Sequence, residues 1–339
     1  VTSDATRLPN TQDAHGTQDA HGTQDAPGAH EAPVAPQPSV SSGDLPGYEI
    51  VLVTYRSRGL LEKMFARLPE DVPVVVIDNS KGADGVPELV AARKNARYLD
   101  GPGEGFAKGA NLGARTSTAD VVVFVNPDTA PTAAQLRELV ADVAADPGLA
   151  AVSATTVRPD GRVELGIGGY EPNARRSFVH AVGLHALFPT AGLYARPVPG
   201  RPIRTDWLSG TCLAVPREKF LALGGFDEAF FLYNEDMAYG RRVRLAGLSE
   251  KLRTDVLVPH AGGGSGEART RMFQMRGASM TAYVADHNPS GTVLGMRVAL
   301  TVGTLARSVV AQARGNAPLA AEHRAYVRGL WTGAPDMSA

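Results

Sequence analysis

The sequence predicts an α/β protein: a Rossmann-like, mostly parallel sheet flanked by helices, with a helical extension at the C-terminal end. Three observations carry this. The β-branched runs Tyr48-Glu-Ile-Val-Leu-Val-Thr54, Val72-Pro-Val-Val-Val-Ile-Asp78 and Asp120-Val-Val-Val-Phe-Val-Asn126 are nearly continuous in apolar residues, as in strands buried on both faces. Stretches of helical spacing lie between and after them, and that alternation indicates a doubly wound sheet. Beyond residue 267, periodicity and breakers read as helices alone.

Taken in order, residues 48–54 form the first strand, 60–68 a helix, 72–78 a second strand, 86–94 a helix and 96–99 a short third strand. A helix over 106–115 follows Gly101-Pro-Gly-Glu-Gly105, and the fourth strand, 120–126, ends in Pro127-Asp128. Thr132 is placed to cap a helix over 132–145. Residues 150–157 read as a strand and Arg158-Pro-Asp-Gly-Arg162 as a turn. Residues 167–201 lack clear periodicity and read as a long loop, usually a functional or mobile feature. A strand interrupted at Gly210 spans 205–215, and another over 252–259 ends at His260. Helices are expected near 268–286, 292–314 and 319–330.

The totals exclude some classes. In 339 residues, Lys plus Arg number 34 and Asp plus Glu 35, a net charge of −1 that gives no case for a nucleic-acid partner. The single cysteine, Cys212, excludes an internal disulfide framework and a multi-Cys zinc site. Residues 1–46 carry the hexapeptide Thr11-Gln-Asp-Ala-His-Gly16, repeated at 17–22 and degraded at 23–28, and hold six acids against Arg7. Such a segment cannot offset its ordering entropy and is expected to be a disordered tail. The remainder divides into a domain over 47–266 and a helical region over 267–339. The latter holds eight arginines against four acids, so it could lie on an anionic membrane surface or simply be a solvated face. Its helices could also supply a homo-oligomer interface. No charged-then-apolar leader is visible, and Arg297 and Arg307 interrupt the longest apolar stretch. The expectation is a cytoplasmic protein, with peripheral contact at the inner face of the membrane open.

The chain is organised around Gly224-Gly-Phe-Asp-Glu-Ala-Phe-Phe-Leu-Tyr-Asn-Glu-Asp236, an apolar block that delivers Glu235 and Asp236 to a helix start. Carboxylates beside an apolar floor can be tuned to act as bases, or can be ordinary first-turn acids. In an open parallel sheet ligands bind at the carboxyl ends of strands, where Thr54, Asp78 and Asp128 fall. Asp78 could accept from a base or ribose, or cap its own loop. Asp128, held by Pro127, could bind a hard divalent cation, with His260 as a second ligand. Neither a Gly-x-Gly-x-x-Gly turn nor a Gly-x4-Gly-Lys-Ser/Thr loop follows the first strand, which disfavours dinucleotide binding and nucleoside triphosphate hydrolysis.

These blocks stand in the order found in a known family. Val53-Thr-Tyr55, Val76-Ile-Asp-Asn-Ser80, Gly105-Phe-Ala-Lys-Gly-Ala-Asn-Leu-Gly113, Phe124-Val-Asn-Pro-Asp128, Trp207-Leu-Ser-Gly-Thr-Cys-Leu213, the 224–236 stretch and Pro259-His260 are its matching residues. From residue 50 to about 265 the chain resembles the inverting family-2 (GT2) glycosyltransferases of the GT-A fold, in their rhamnosyltransferase-like branch. The resemblance implies that Thr54, Tyr55, Asp78, Gly105, Phe106, Lys108 and Asn111 hold the nucleotide, with Asn126 and Asp128 at the metal-binding triplet. Trp207, Ser209 and Gly210 would wall the sugar pocket, and His260 would join Asp128 on Mg²⁺ or Mn²⁺. Asp236 matches the catalytic base, with Glu235 beside it. The implied donor is a dTDP- or UDP-sugar, with GDP-mannose open, and the acceptor a glycan, lipid-linked saccharide or small molecule. Where many relatives read Glu-Asp-x-Asp, Ala238 replaces the second Asp. Two rivals remain: a sugar nucleotidyltransferase, for which Tyr55-Arg-Ser-Arg-Gly59 is a faint echo, and a nucleotide-sugar-binding protein that has lost catalysis. A glycine loop over 262–266 would close over the donor.

Overall fold

The computed structural model describes residues 45–198, 200–262 and 268–335; the repeat-bearing tail up to residue 44 and most of the glycine loop lie outside them. Strands β1 (Tyr48–Thr54), β2 (Val74–Asp78), β3 (Ala96–Asp100) and β4 (Val121–Val125) alternate with helices α1 (Arg58–Phe65), α2 (Val86–Ala91) and α3 (Phe106–Thr116). Then come α4 (Ala133–Ala145), β5 (Leu149–Val157), β6 (Gly168–Gly169), α5 (Ala174–Ala181), β7 (Ile203–Thr205), β8 (Trp207–Leu208) and β9 (Cys212–Pro216). The chain continues through α6 (Arg217–Ala222), α7 (Glu235–Leu245) and β10 (Ser249–Pro259) to α8 (Arg269–His287), α9 (Ser290–Ala313) and α10 (Ala317–Thr332).

One sheet of eight strands has the order β3-β2-β1-β4-β9-β5-β10-β7. β3, β2, β1 and β4 are parallel, β9 runs antiparallel between β4 and β5, β10 returns parallel to β5, and β7 is an antiparallel edge. The order reverses at β1, so the crevice beyond the carboxyl ends of β1, β2 and β4 is the topological switch point. Burial follows the sequence: β2 and β4 are buried at every position. α3 seats closely because it presents glycine to β1; a Cβ at Gly113 would stand 2.4 Å from Val51, and one at Gly109 2.9 Å from Val53. Thr132 caps α4 in a reciprocal box with Gln135, accepting from the Gln135 N–H at 3.2 Å while its own N–H donates to Oε1 at 2.9 Å.

Two segments differ from expectation. The stretch read as loop over 167–201 contains β6, α5 and a 3-10 turn at Leu184–Ala186. Asn173 starts α5 by accepting from the Arg176 N–H at 2.9 Å. With eight residues, α5 is too short for periodicity to declare, and it is held by packing on α9. The six-residue α6 was missed for the same reason.

The helices beyond residue 267 are packed into the fold. Met280, Tyr283 and Val284 of α8, Met296 and Leu300 of α9, and Leu330 of α10 share one buried cluster with Trp207, Phe230, Met237 and Ala238. The floor of the 230–238 segment is therefore built partly from the C-terminal end.

Candidate active site

Thr54 and Asp78 sit side by side at the ends of β1 and β2. Asp78 is fully buried and already occupied: its carboxylate accepts from the Ser80 N–H at 2.8 Å, the Ser80 hydroxyl at 2.6 Å and the Gly82 N–H at 2.7 Å. It shapes the 79–82 turn, the loop-capping alternative for a strand-end Asp. The buried Thr54 Oγ1 has no hydrogen-bond partner among the described residues. Tyr55, next along, is exposed and lies under the Arg56 guanidinium, 5.5 Å from its ring centroid.

Gly105 explains how the 224–236 stretch reaches this edge. Its φ is +95°, and a Cβ there would stand 2.0 Å from the Phe231 carbonyl oxygen. That oxygen accepts from the Phe106 N–H at 2.9 Å, so the 224–236 stretch is pinned to the start of α3. Asn111 pins it again, accepting from the Phe226 N–H at 2.8 Å and donating to the Phe226 carbonyl at 2.8 Å and Glu228 at 2.9 Å. Its amide is thus committed to the chain, and Lys108 is paired with Glu104. Gly210 allows the same approach from the other side, where a Cβ would meet the Phe106 ring at 3.0 Å.

The loop after β4 carries the second feature. The Asn126 N–H donates to the Thr211 carbonyl at 2.9 Å, and Ser209 and Thr211 share a 2.8 Å hydroxyl contact, so this loop stands against β8 and β9. Asp128 Oδ2 lies 3.2 Å from His260 Nε2, and Glu164 Oε2 lies 2.6 Å from His260 Nδ1. Burial alone would depress the imidazole, but the two carboxylates outweigh it and lift His260 to about 10. The imidazolium is thus itself the cation between the two carboxylates, and a divalent ion at this place would take the position of its Nε2 proton. The oxygen and nitrogen donors of Asp128 and His260 suit Mg²⁺ or Mn²⁺, and a carboxylate on the far ring nitrogen is the usual support of a metal-bound histidine. Asp128 and Glu164 occupy opposite edges of the ring and cannot share one ion. Consistently, no three His, Cys, Asp or Glu side chains among the described residues form a metal cage.

The third feature is the start of α7. Tyr233 and Asn234 both hold positive φ, +68° and +70°, a rare pair for non-glycine residues that turns the chain abruptly into the helix. Arg276 of α8 lies over the Tyr233 ring at 4.6 Å, and Ser279 donates to the Leu232 carbonyl at 2.8 Å. Glu235 and Asp236 emerge buried in the first turn. Asp236 Oδ1 accepts from the Met237 N–H at 2.8 Å. Burial raises the Asp236 carboxyl to about 6, against the lowering influence of backbone N–H groups and Arg276. Burial and the neighbouring Asp236 charge push Glu235 well above the carboxylate range, and its Oε2 is unpartnered. Of the two, Asp236 is the acid that ionises near neutrality.

Trp207 is placed differently from a pocket wall. Its ring is buried in the apolar cluster, with Tyr194 edge-on at 6.0 Å and Gly169 close enough that a Cβ would meet the ring at 2.8 Å. Ala238 belongs to the same cluster. A carboxylate at that position would be buried among methionines of α8 and α9, which gives the missing acid a packing reason. Ala238→Asp should destabilise the fold by ~2 kcal/mol or more, read as a lower melting temperature with no gain in turnover; higher activity at unchanged melting would contradict this account.

Sequence reading missed Glu164, Glu171 and Arg276. Glu171 accepts from the Tyr283 hydroxyl at 2.9 and 2.8 Å and pairs with Arg241 at 3.2 Å and with Arg244, tying α7 to α8. No motif marks these residues, because each acts on a partner at least 70 positions away or, for Arg276, 43.

A family model for glycosyl transferase family 2 matches residues 49–196, ending before Asp236 and His260. An N-acetylglucosaminyl-diphospho-decaprenol L-rhamnosyltransferase of Mycobacterium tuberculosis is 33% identical over 221 residues, covering 58% of this chain and 70% of that protein. A low-salt glycan biosynthesis hexosyltransferase of Haloferax volcanii is 23% identical over 205 residues, 59% of this chain and 62% of that protein. In fold, the chain is similar to a mannosyltransferase of Pyrobaculum calidifontis solved with GDP-Man and Mn²⁺, with a TM-score of 0.56 at 18% identity over 85% of this chain and 88% of that one. With the switch-point crevice, the sheet order and a relative of this identity and coverage in agreement, the chain belongs to glycosyltransferase family 2, has the GT-A fold and is a glycosyltransferase.

Proposed function

We propose that this enzyme transfers a sugar, rhamnose, from a nucleotide-diphosphate donor to a hydroxyl of a lipid-linked saccharide, with inversion. The observation that carries the reading is the buried Asp236 at the start of α7, beside a second buried acid and on a segment pinned to the switch-point edge. The sugar and the lipid carrier are supported by the name of the mycobacterial relative.

In the proposed step the acceptor oxygen attacks the anomeric carbon as the bond to the donor diphosphate breaks, and the hydroxyl proton passes to Asp236. Oδ1 already accepts from Met237, so Oδ2 takes the proton. Help of this kind is typically worth ~10²–10⁴-fold. The Tyr233–Asn234 turn and Arg276 hold the base in place, and burial beside Asp236 favours the neutral form of Glu235, which leaves the charge on Asp236. Tyr55, exposed just beyond β1, is the group there available to a nucleoside, with Thr54 buried beneath it. Asp128 and His260 would hold a Mg²⁺ or Mn²⁺, which when bound supplies positive charge to the departing diphosphate. Glu164 fixes the tautomer and tilt of His260 for that task.

The deciding experiment is a melting panel of dTDP, UDP and GDP species, each with and without Mn²⁺, followed by a donor-turnover assay. A ligand at a hundred times its dissociation constant adds about 2.7 kcal/mol. Metal-dependent stabilisation by one nucleotide and turnover of its rhamnosyl or hexosyl derivative is expected. Stabilisation without any turnover would instead mark a nucleotide-sugar-binding protein, and no response from any nucleotide would sink the donor assignment.

A further inference from the structure

The proposed site leaves unused a broad uncharged face on the opposite side of the C-terminal helices. Along all of α9, every residue open to solvent is uncharged. Leu294, Val298, Val302, Leu305 and Val309 are exposed at helical spacing, Val302 at 63% and Val309 at 68%. A surface helix ordinarily turns charged residues to water. The only charges on α9, Arg297 and Arg307, are turned aside: Arg297 lies over Trp331 at 4.0 Å, and Arg307 donates to the His180 carbonyl at 2.6 Å.

A second exposed apolar stretch is carried by α5, which packs on α9. The two helices meet where Gly303 approaches Ala181, so closely that a Cβ on Gly303 would stand 2.6 Å from the Ala181 Cα. Phe178, Val182, Leu187 and Phe188 then project from α5 and the turn after it, Leu187 at 74% and Phe188 at 60% exposure. Exposed large apolar residues gathered in this way mark an interaction site rather than chance.

Charge around the face identifies its occupant. No Asp or Glu occurs from residue 172 to 198, while Arg175, Arg176 and Arg196 do, Arg175 exposed one turn from Phe178. From 290 to 335 there are five arginines and one acid, Glu322, which is buried and paired with Arg269 at 2.6 Å. Two copies meeting through this face would bring their arginine rims together without counter-charge. An anionic lipid surface offers the complementary arrangement, apolar chains beneath a negative plane.

We infer that the α5–α9 face is a membrane-docking surface that lies in the interface of an anionic bilayer. α9 is long and apolar enough, by length and composition, to cross a membrane. Its inner face is nevertheless spent on the protein, where Met296 and Leu300 pack on the cluster containing Met237, the residue after Asp236. The helix therefore lies flat, its outer face in lipid and its inner face against the catalytic segment. The purpose of this arrangement rests on the lipid-linked acceptor reading: the base would wait one helix layer above the surface from which the acceptor headgroup projects.

The test is flotation of the full chain with vesicles of phosphatidylcholine, alone or mixed with phosphatidylglycerol, carrying no acceptor. Binding to the mixed vesicles, weakened by salt and by omission of phosphatidylglycerol, is expected. The double variant Val302→Glu/Val309→Glu should bind about tenfold more weakly or worse, with unchanged melting and unchanged stabilisation by nucleotide. Leu187→Glu/Phe188→Glu, outside the helix, should do the same and guards against misfolding of the first variant. A wild-type chain that stays with the soluble fraction, or variants that float as it does, would overturn the inference. So would a lipid-free dimer that the variants dissolve, which assigns the face to a second copy, or retention after an alkaline carbonate wash, which makes α9 a span. Failure here leaves donor binding untouched, whereas failure of the nucleotide panel leaves flotation untouched, so the two readings fall separately.

Discussion

Asp236→Asn should lower sugar transfer by roughly 10²–10⁴-fold while donor affinity, read by nucleotide-dependent melting, stays within about twofold of wild type. The amide keeps the acceptor of the Met237 N–H and removes only the group that takes the proton. Because burial raises Asp236 to about 6, wild-type kcat/KM should fall as pH drops below about 6 and be flat above it, and the Asn variant should lose that limb. Stability follows the opposite course. The folded carboxyl holds its proton more tightly than the unfolded one, so its stabilising contribution is complete at low pH and is lost as pH rises from the ordinary value of 3.8 through about 6. At pH 7 the Asn variant should therefore melt no lower than wild type. A variant with wild-type turnover would remove Asp236 from the mechanism, and an unchanged acid limb would assign that limb to another group.

Asp128→Ala should abolish Mn²⁺-dependent donor binding, because it removes the carboxylate 3.2 Å from His260 Nε2, the oxygen donor of the proposed metal site. Glu164→Gln is the more discriminating change. It keeps the shape beside His260 Nδ1 but removes the charge 2.6 Å away, so metal affinity should fall ~10–100-fold while metal-free folding persists. Titrating Mn²⁺ against nucleotide-dependent melting measures both. If Asp128→Ala retains the metal response, the ion is held elsewhere. If Glu164→Gln binds metal as wild type does, Glu164 is only a structural partner of Thr156 and Arg158.

Much of the strand layer was legible because buried parallel strands are written as unbroken apolar runs, and β1, β2 and β4 emerge where 48–54, 72–78 and 120–126 predicted them. Capping was legible for the same local reason, Thr132 and Gln135 being three residues apart. The Gly224–Asp236 stretch announced itself by acids after an apolar block. Asp78 and Asn111 show the limit. Loop capping by Asp78 was one of two readings of a strand-end acid, because its partners Ser80 and Gly82 are local, but the commitment of Asn111 was not readable, since a partner 115 residues away leaves no local trace. α5 was invisible because eight residues carry too little periodicity, and its folding depends on α9.

By itself the sequence determined the alternation of strands and helices, the acids at strand ends and the family resemblance, all of which rest on neighbours in the chain. The tertiary structure decided the rest. It supplied Glu164 to His260, set Arg276 over Tyr233, buried Asp236 deeply enough to raise it, and turned one side of α9 outward without charge. Each depends on burial or on a contact between distant segments, and desolvation exists only once the chain has packed.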